Sequence, residues 1–194
     1  MVVKNTRAGW TNWTTNAFPA NGLIYVKDAT NNPTSTKKGN VYLSGTLDGR
    51  LTIASDYDIL ITNHVRYATH PTNSSTDALG LLAMRNVVID QSCPNNLDVF
   101  AHIIASGKST PTDSSDGCFW VTNYDNGSGR GELSVYGGIV QDKRGPVGTV
   151  NSSSGAQITG FKKNYTYDTR FADNPPPFYP TLTNEYQWKA WREI

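Results

Sequence analysis

Asp58-Ile59-Leu60-Ile61-Thr62 is followed at twenty-residue intervals by Ala78-Leu79-Gly80-Leu81-Leu82, Asp98-Val99-Phe100-Ala101-His102 and Cys118-Phe119-Trp120-Val121-Thr122. Aligned, Ile59, Leu79, Val99 and Phe119 form one apolar column, and Ile61, Leu81, Ala101 and Val121 form a second. Side chains alternate across a strand, so both columns point the same way if each copy is extended. A fixed period of this size is the mark of a repeat architecture. It predicts an all-β, single-domain parallel β-helix (β-solenoid) of about 20-residue coils, each copy stacking like on like above the last.

Working outward, strand signals run from Gly22 to Val140: Leu23 to Val26, Val41 to Leu43, Leu51 to Ile53, Val87 to Ile89 and Leu133 to Val140 join the four copies above. They are short, β-branched or aromatic, and bounded by Gly, Asn, Asp and Ser. An antiparallel sandwich gives the same strand spacing, but hairpin pairing does not require like residues to recur at a fixed interval. Residues 1–20, with Trp10, Trp13 and Phe18, read as a cap or connector, and 21–145 as the solenoid body. Residues 146–194 read as an irregular tail rich in proline and aromatics (Pro175-Pro176-Pro177-Phe178-Tyr179-Pro180, Tyr186, Trp188, Trp191) that packs on the body or on a neighbouring subunit. Three polar stretches, Thr30 to Lys38, Thr69 to Thr76 and Ser106 to Asp116, are expected to bulge outward as loops.

The chain has 194 residues, 17% of them charged, and a net charge of +1. Its polarity comes from Asn, Thr, Ser and Gly, which gives no basic footprint for nucleic acid, and no run of 18 apolar residues is present to span a bilayer. The N-terminus lacks the basic-then-apolar pattern of a signal peptide, so a processed protein or an excised domain is expected. Five Asn-x-Ser/Thr triplets, at Asn12, Asn73, Asn126, Asn151 and Asn164, carry little weight in a chain so rich in these residues. Cys93 and Cys118 are the only cysteines. Bridged, they would stabilise by roughly 3 kcal/mol through loop closure; otherwise both are small buried hydrophobes.

The order of Gly39-Asn40-Val41-Tyr42-Leu43-Ser44-Gly45-Thr46-Leu47-Asp48-Gly49-Arg50-Leu51-Thr52-Ile53-Ala54, Asp77 to Ala83, Arg130 to Gln141, Arg144-Gly145-Pro146-Val147-Gly148 and Tyr167-Asp168 with Pro175 to Pro177 resembles a bacterial PilX-like domain of unassigned function associated with type IV pilus systems. The resemblance spans about residues 21 to 180. It implies an exported β-solenoid-like module on a pilus or cell surface and supplies no catalytic residue. The apolar pilin-type helix usual at that family's N-terminus is absent from this sequence.

Enzymes on parallel β-helices use clustered carboxylates with basic residues on an outer face. Asp56, Asp58 and Asp77 beside Arg66 or Arg85 are the nearest candidates, and the competing reading of each Asp is a turn former at a strand end. His64, His70 and His102 lack the spacing of a zinc site. Gly127-Ser128-Gly129-Arg130-Gly131 joins two strands, with no helix start to hold a phosphate. Neither cysteine has a neighbouring base. The expectation is therefore no catalytic, cofactor-binding or metal-ligating residue and no cofactor. Function is read as a non-enzymatic structural component of an extracellular bacterial surface appendage, self-associating head to tail or joining other surface components. The alternative is a carbohydrate- or surface-binding adhesin that stacks sugars on its five tryptophans and ten tyrosines. A polysaccharide-degrading enzyme comes third, and it needs carboxylates that converge.

Overall fold

The computed structural model describes residues 1–4, 9, 11–28, 38–107 and 117–180. Trp10, nearly all of the first and third polar loops, and Tyr186, Trp188 and Trp191 lie outside them. The strands are β1 (Val2–Val3), β2 (Thr14–Thr15), β3 (Leu23–Val26), β4 (Val41–Leu47), β5 (Arg50–Ser55), β6 (Ile59–Tyr67), β7 (Ala78–Ala83), β8 (Val87–Ile89), β9 (Leu97–Ala105), β10 (Phe119–Val121), β11 (Gly129–Gln141), β12 (Gly148–Val150) and β13 (Gln157–Tyr167). Among the described residues the only helices are single 3-10 turns at Pro71–Asn73 and Thr169–Ala172. β1 and β2 form a separate antiparallel pair, and the other eleven strands make one large, mostly parallel, unclosed sheet.

The parallel pairs fall into three stacks. Ile24, Ile53, Leu81, Ile103 and Ile139 are successive partners in the first, which contains β3, β5, β7 and the C-terminal parts of β9 and β11. Val41, Ile59, Val87 and Phe119 are successive partners in the second, through the start of β4, the start of β6, β8 and β10. Gly45, Val65, Val99, Val135 and Tyr165 are successive partners in the third, which runs through β4, β6, β9, β11 and β13. β6, β9 and β11 each pass from one stack to another without a break, and in the large sheet, among the described residues, only β12 pairs antiparallel, against β13.

This register corrects the twenty-residue columns. Ile59 is paired with Val87, not Leu79; Leu79 is paired with Leu51, and Val99 with Val65 and Val135. All eight column residues do point inward and are at most 2% exposed. The inward alternation was legible, but the interval of twenty carries the eye from one stack to another rather than up a single stack. True steps range from Val41–Ile59 to Val99–Val135, because polar connections of unequal length sit between stacks.

The core is the inner face of all three stacks, with Ile59, Ile61, Leu81, Val87, Ile89, Leu97, Val99, Ile103 and Leu133 wholly buried. Each such side chain contributes about 1.5–3 kcal/mol by leaving water. The sheet does not stop near 145. β12 and β13 continue it to Tyr167, and Val147 and Phe161 join the core, so residues 146–167 are not an irregular tail. Irregular chain begins at Asp168 and crosses the outer face of the first stack.

Gly137 permits the passage of β11 between stacks. A Cβ there would sit 1.8 Å from the Ala101 carbonyl oxygen, and its φ of 156° is one that side chains rarely adopt.

Candidate functional site

The acidic candidates do not converge. Asp58 lies just before the second stack's β6: its Oδ1 accepts the Asn86 N–H at 3.1 Å and its Oδ2 pairs with Arg85 at 2.8 Å. Asp77 lies just before β7, accepting from Gly49 N at 2.7 Å and Thr69 N at 3.0 Å. Asp56 accepts from the Tyr25 hydroxyl and, at 2.9 Å, from the Asp28 N–H. Arg66 is bound instead to Asp98. Every one of these carboxylates is occupied in tying one strand start or turn to its neighbour.

They belong to a device that the sequence reading missed. The residue preceding each second-stack strand offers its side-chain oxygen to the backbone N–H at the next such position: Asn40 to Asp58 at 3.3 Å, Asp58 to Asn86, and Asn86 to Cys118 at 2.8 Å. Asn96 does the same for Glu132 at 3.0 Å in the third stack. Asn86 is 2% exposed, and a buried donor without such a partner would cost about 1–3 kcal/mol. The available signal was Asn or Asp immediately before a β-branched or aliphatic strand residue.

The histidines are also dispersed. His64 Nδ1 accepts the Asp98 N–H at 3.1 Å, and His70 packs edge-on against Phe100 and Tyr136. Among the described residues no three His, Cys, Asp or Glu side chains are grouped to hold a metal ion. Cys93 and Cys118 form no disulfide, and both are buried. The Cys93 thiol donates to the Ile61 carbonyl at 3.2 Å, and burial pushes its pKa up to about 11, which keeps it protonated at neutral pH. The Gly127 to Gly131 stretch connects β10 to β11, which do not pair with each other.

Two places gather polar groups that the ladders do not use. The first is the tail crossing. His102, on the outer face of β9, is stacked on Phe171 at 4.2 Å, with Tyr179 and Tyr167 at its edges. Its Nε2 is 3.8 Å from Oδ2 of the buried Asp168, which Arg170 grips through Nε at 2.9 Å and Nη2 at 2.6 Å. Burial holds the His102 pKa below its ordinary value against the opposing pull of Asp168. Arg170 also donates to the Ser75 carbonyl at 2.5 Å. Farther along, Thr52 donates to the Pro177 carbonyl, Arg50 to that of Pro175, and the Tyr179 ring lies over Gly80. The groove floor is one register line, Thr52, Gly80, His102 and Gly138.

The second is an open cavity of about 480 Å³ at the end of the sheet formed by the last strands, lined by Phe119, Ile139, Gln141, Arg144, Lys163 and Tyr165. Lys163 follows Leu97 and Leu133 in register, and Tyr165 follows Val99 and Val135, so the inward apolar lines end there in polar groups. The Phe119 and Tyr165 rings meet edge to face at 6.4 Å. Desolvation, then the nearby Arg144, lowers the Lys163 pKa, and burial pushes Tyr165 up to about 12.

Among the described residues no helix is long and apolar enough to cross a membrane. The chain matches no protein-family model, no curated protein and no solved structure.

Proposed function

We propose that this chain is a parallel β-solenoid whose three stacks are the faces of a coil of variable length, and that it serves as a non-enzymatic structural module of an extracellular bacterial surface appendage. The sequence resemblance and the charge-poor Asn/Thr/Ser surface support that setting. The commitment of Asp56, Asp58 and Asp77 to backbone N–H groups and cross-turn side chains supports a structural over a hydrolytic role. Self-association is part of the proposal, and the observation that carries it is the inequality of the two ends.

At the N-terminal end, among the described residues, β3 pairs only with β5 and β4 only with β6. Val41 turns its N–H toward Asp58, and Thr52 donates to Gly22, so alternation directs the backbone groups of Tyr25 and Tyr42 to the free edge. Ile24, Val41 and Leu43 remain half-buried behind them. The other end presents Lys163, Arg144 and Gln141. Head-to-tail stacking would set these cations against apolar side chains, with a desolvation cost. Pairing two N-terminal ends sets edge on edge and apolar on apolar, an isologous contact that closes. We therefore assign association to the N-terminal end.

Light scattering after size exclusion tests this. Wild-type chain should reach a two-chain mass as concentration rises, while Tyr42→Pro should stay monomeric with unchanged circular dichroism, since proline is tolerated where an edge N–H faces outward. Filaments in negative-stain images would favour head-to-tail stacking, and a monomer at every concentration would remove self-association.

A further inference from the structure

We propose that the cavity at the C-terminal end of the sheet is a binding site for a carboxylated sugar ring, the chemistry of a uronic acid residue. The site's free polar atoms are nearly all donors. Gln141 spends its Oε1 on the N–H groups of Phe119 at 2.9 Å and Gly145 at 3.3 Å, which leaves its NH₂ to donate. Arg144 and Lys163 have no carboxylate within ion-pair reach among the described residues, and the Tyr165 hydroxyl has no partner there either. A guanidinium and an ammonium can only donate. Two like charges converging on one cavity repel each other until an anion enters; the Lys163 pKa is lowered first by desolvation and only then by Arg144.

The walls choose the ligand's body. Phe119, Ile139 and Tyr165 present apolar surface of the kind on which the C–H face of a pyranose ring packs, while its ring substituents meet the donors. At about 480 Å³ the cavity accepts one or two such rings. A bare inorganic anion would satisfy the cations and leave the aromatic wall in water. A neutral sugar would leave two cations facing each other.

The inference does not depend on pairing at the N-terminal end, since the cavity lies at the opposite one. Isothermal titration with tetragalacturonate tests it, with cellotetraose and inorganic phosphate as the other arms. Tetragalacturonate should bind, and Arg144→Gln or Lys163→Gln should each weaken it at least tenfold. Lys162→Gln, on the same strand but paired with Glu132 at 3.5 Å, should leave it unchanged. Arg144 and Lys163 are exposed, so circular dichroism of both variants should match wild type. Equal binding of cellotetraose, phosphate binding as tight as tetragalacturonate, equal loss in Lys162→Gln, or no heat at millimolar ligand would each overturn the proposal.

Discussion

At the scale of single residues, buried polar side chains act as couplers between successive strand starts. Asn86 is buried, its oxygen holds the Cys118 N–H, and its own N–H is held by Asp58. Asn86→Ala should therefore cost about 1–3 kcal/mol, read from urea unfolding, because the buried Cys118 N–H loses the Asn86 acceptor. Asn86→Asp keeps an acceptor but buries a second carboxylate beside Asp58, so it too should destabilise. Gly137→Ala should be worse than either, since its Cβ would meet the Ala101 carbonyl and neither backbone can yield; loss of cooperative unfolding is the expected outcome. His102 gives the fold a pH dependence of definite sign. Its pKa is depressed in the folded chain below the ordinary value of 6.5, so the unfolded chain binds the proton more readily. Stability from this group is complete above about pH 6.5 and is lost as pH falls below it. Wild-type stability should drop between pH 7.5 and 5.5 more than that of His102→Gln, and equal drops would count against this account.

At the scale of elements, strand identity was legible and strand partnership was not. Ile59, Leu79, Val99 and Phe119 announce inward-facing positions through period-two alternation, and each is indeed inward. Their equal spacing, however, reflects unequal connections that happen to sum alike, whereas register is set by which strand starts share a side-chain coupler, as in Asn40, Asp58 and Asn86. β13 was missed because Lys162, Lys163 and Asn164 interrupt any apolar alternation. It forms because β11 already offers a long parallel edge. The end cavity had no local signature either, since Phe119, Gln141, Arg144 and Lys163 converge only through that pairing. The segment after Asp168 behaves as a strap. Its seat requires a residue without a side chain at 80, because a Cβ would come within 2.6 Å of the Tyr179 ring and 2.9 Å of Thr52 Oγ1. Gly80→Ala should lift the strap, costing about 1–3 kcal/mol and speeding proteolytic cleavage near Pro175 to Pro180 several-fold while the sheet stays intact.

At the scale of the whole molecule, the three stacks give one continuous core and two unlike ends, with an edge that is unpaired among the described residues at one and a cationic, aromatic-walled cavity at the other. The proposed association and the proposed ligand binding lie at opposite ends of the same sheet. Both assignments depend on the parallel register. The most direct test is the cross-strand nuclear Overhauser map of a uniformly labelled chain, which reports the neighbours of each strand residue without reference to function. The account predicts backbone contacts linking Leu60 to Val88 and Val88 to Trp120, and Leu51 to Leu79. Contacts linking Ile59 to Leu79 and Leu79 to Val99, or antiparallel contacts between β5 and β7, would contradict it.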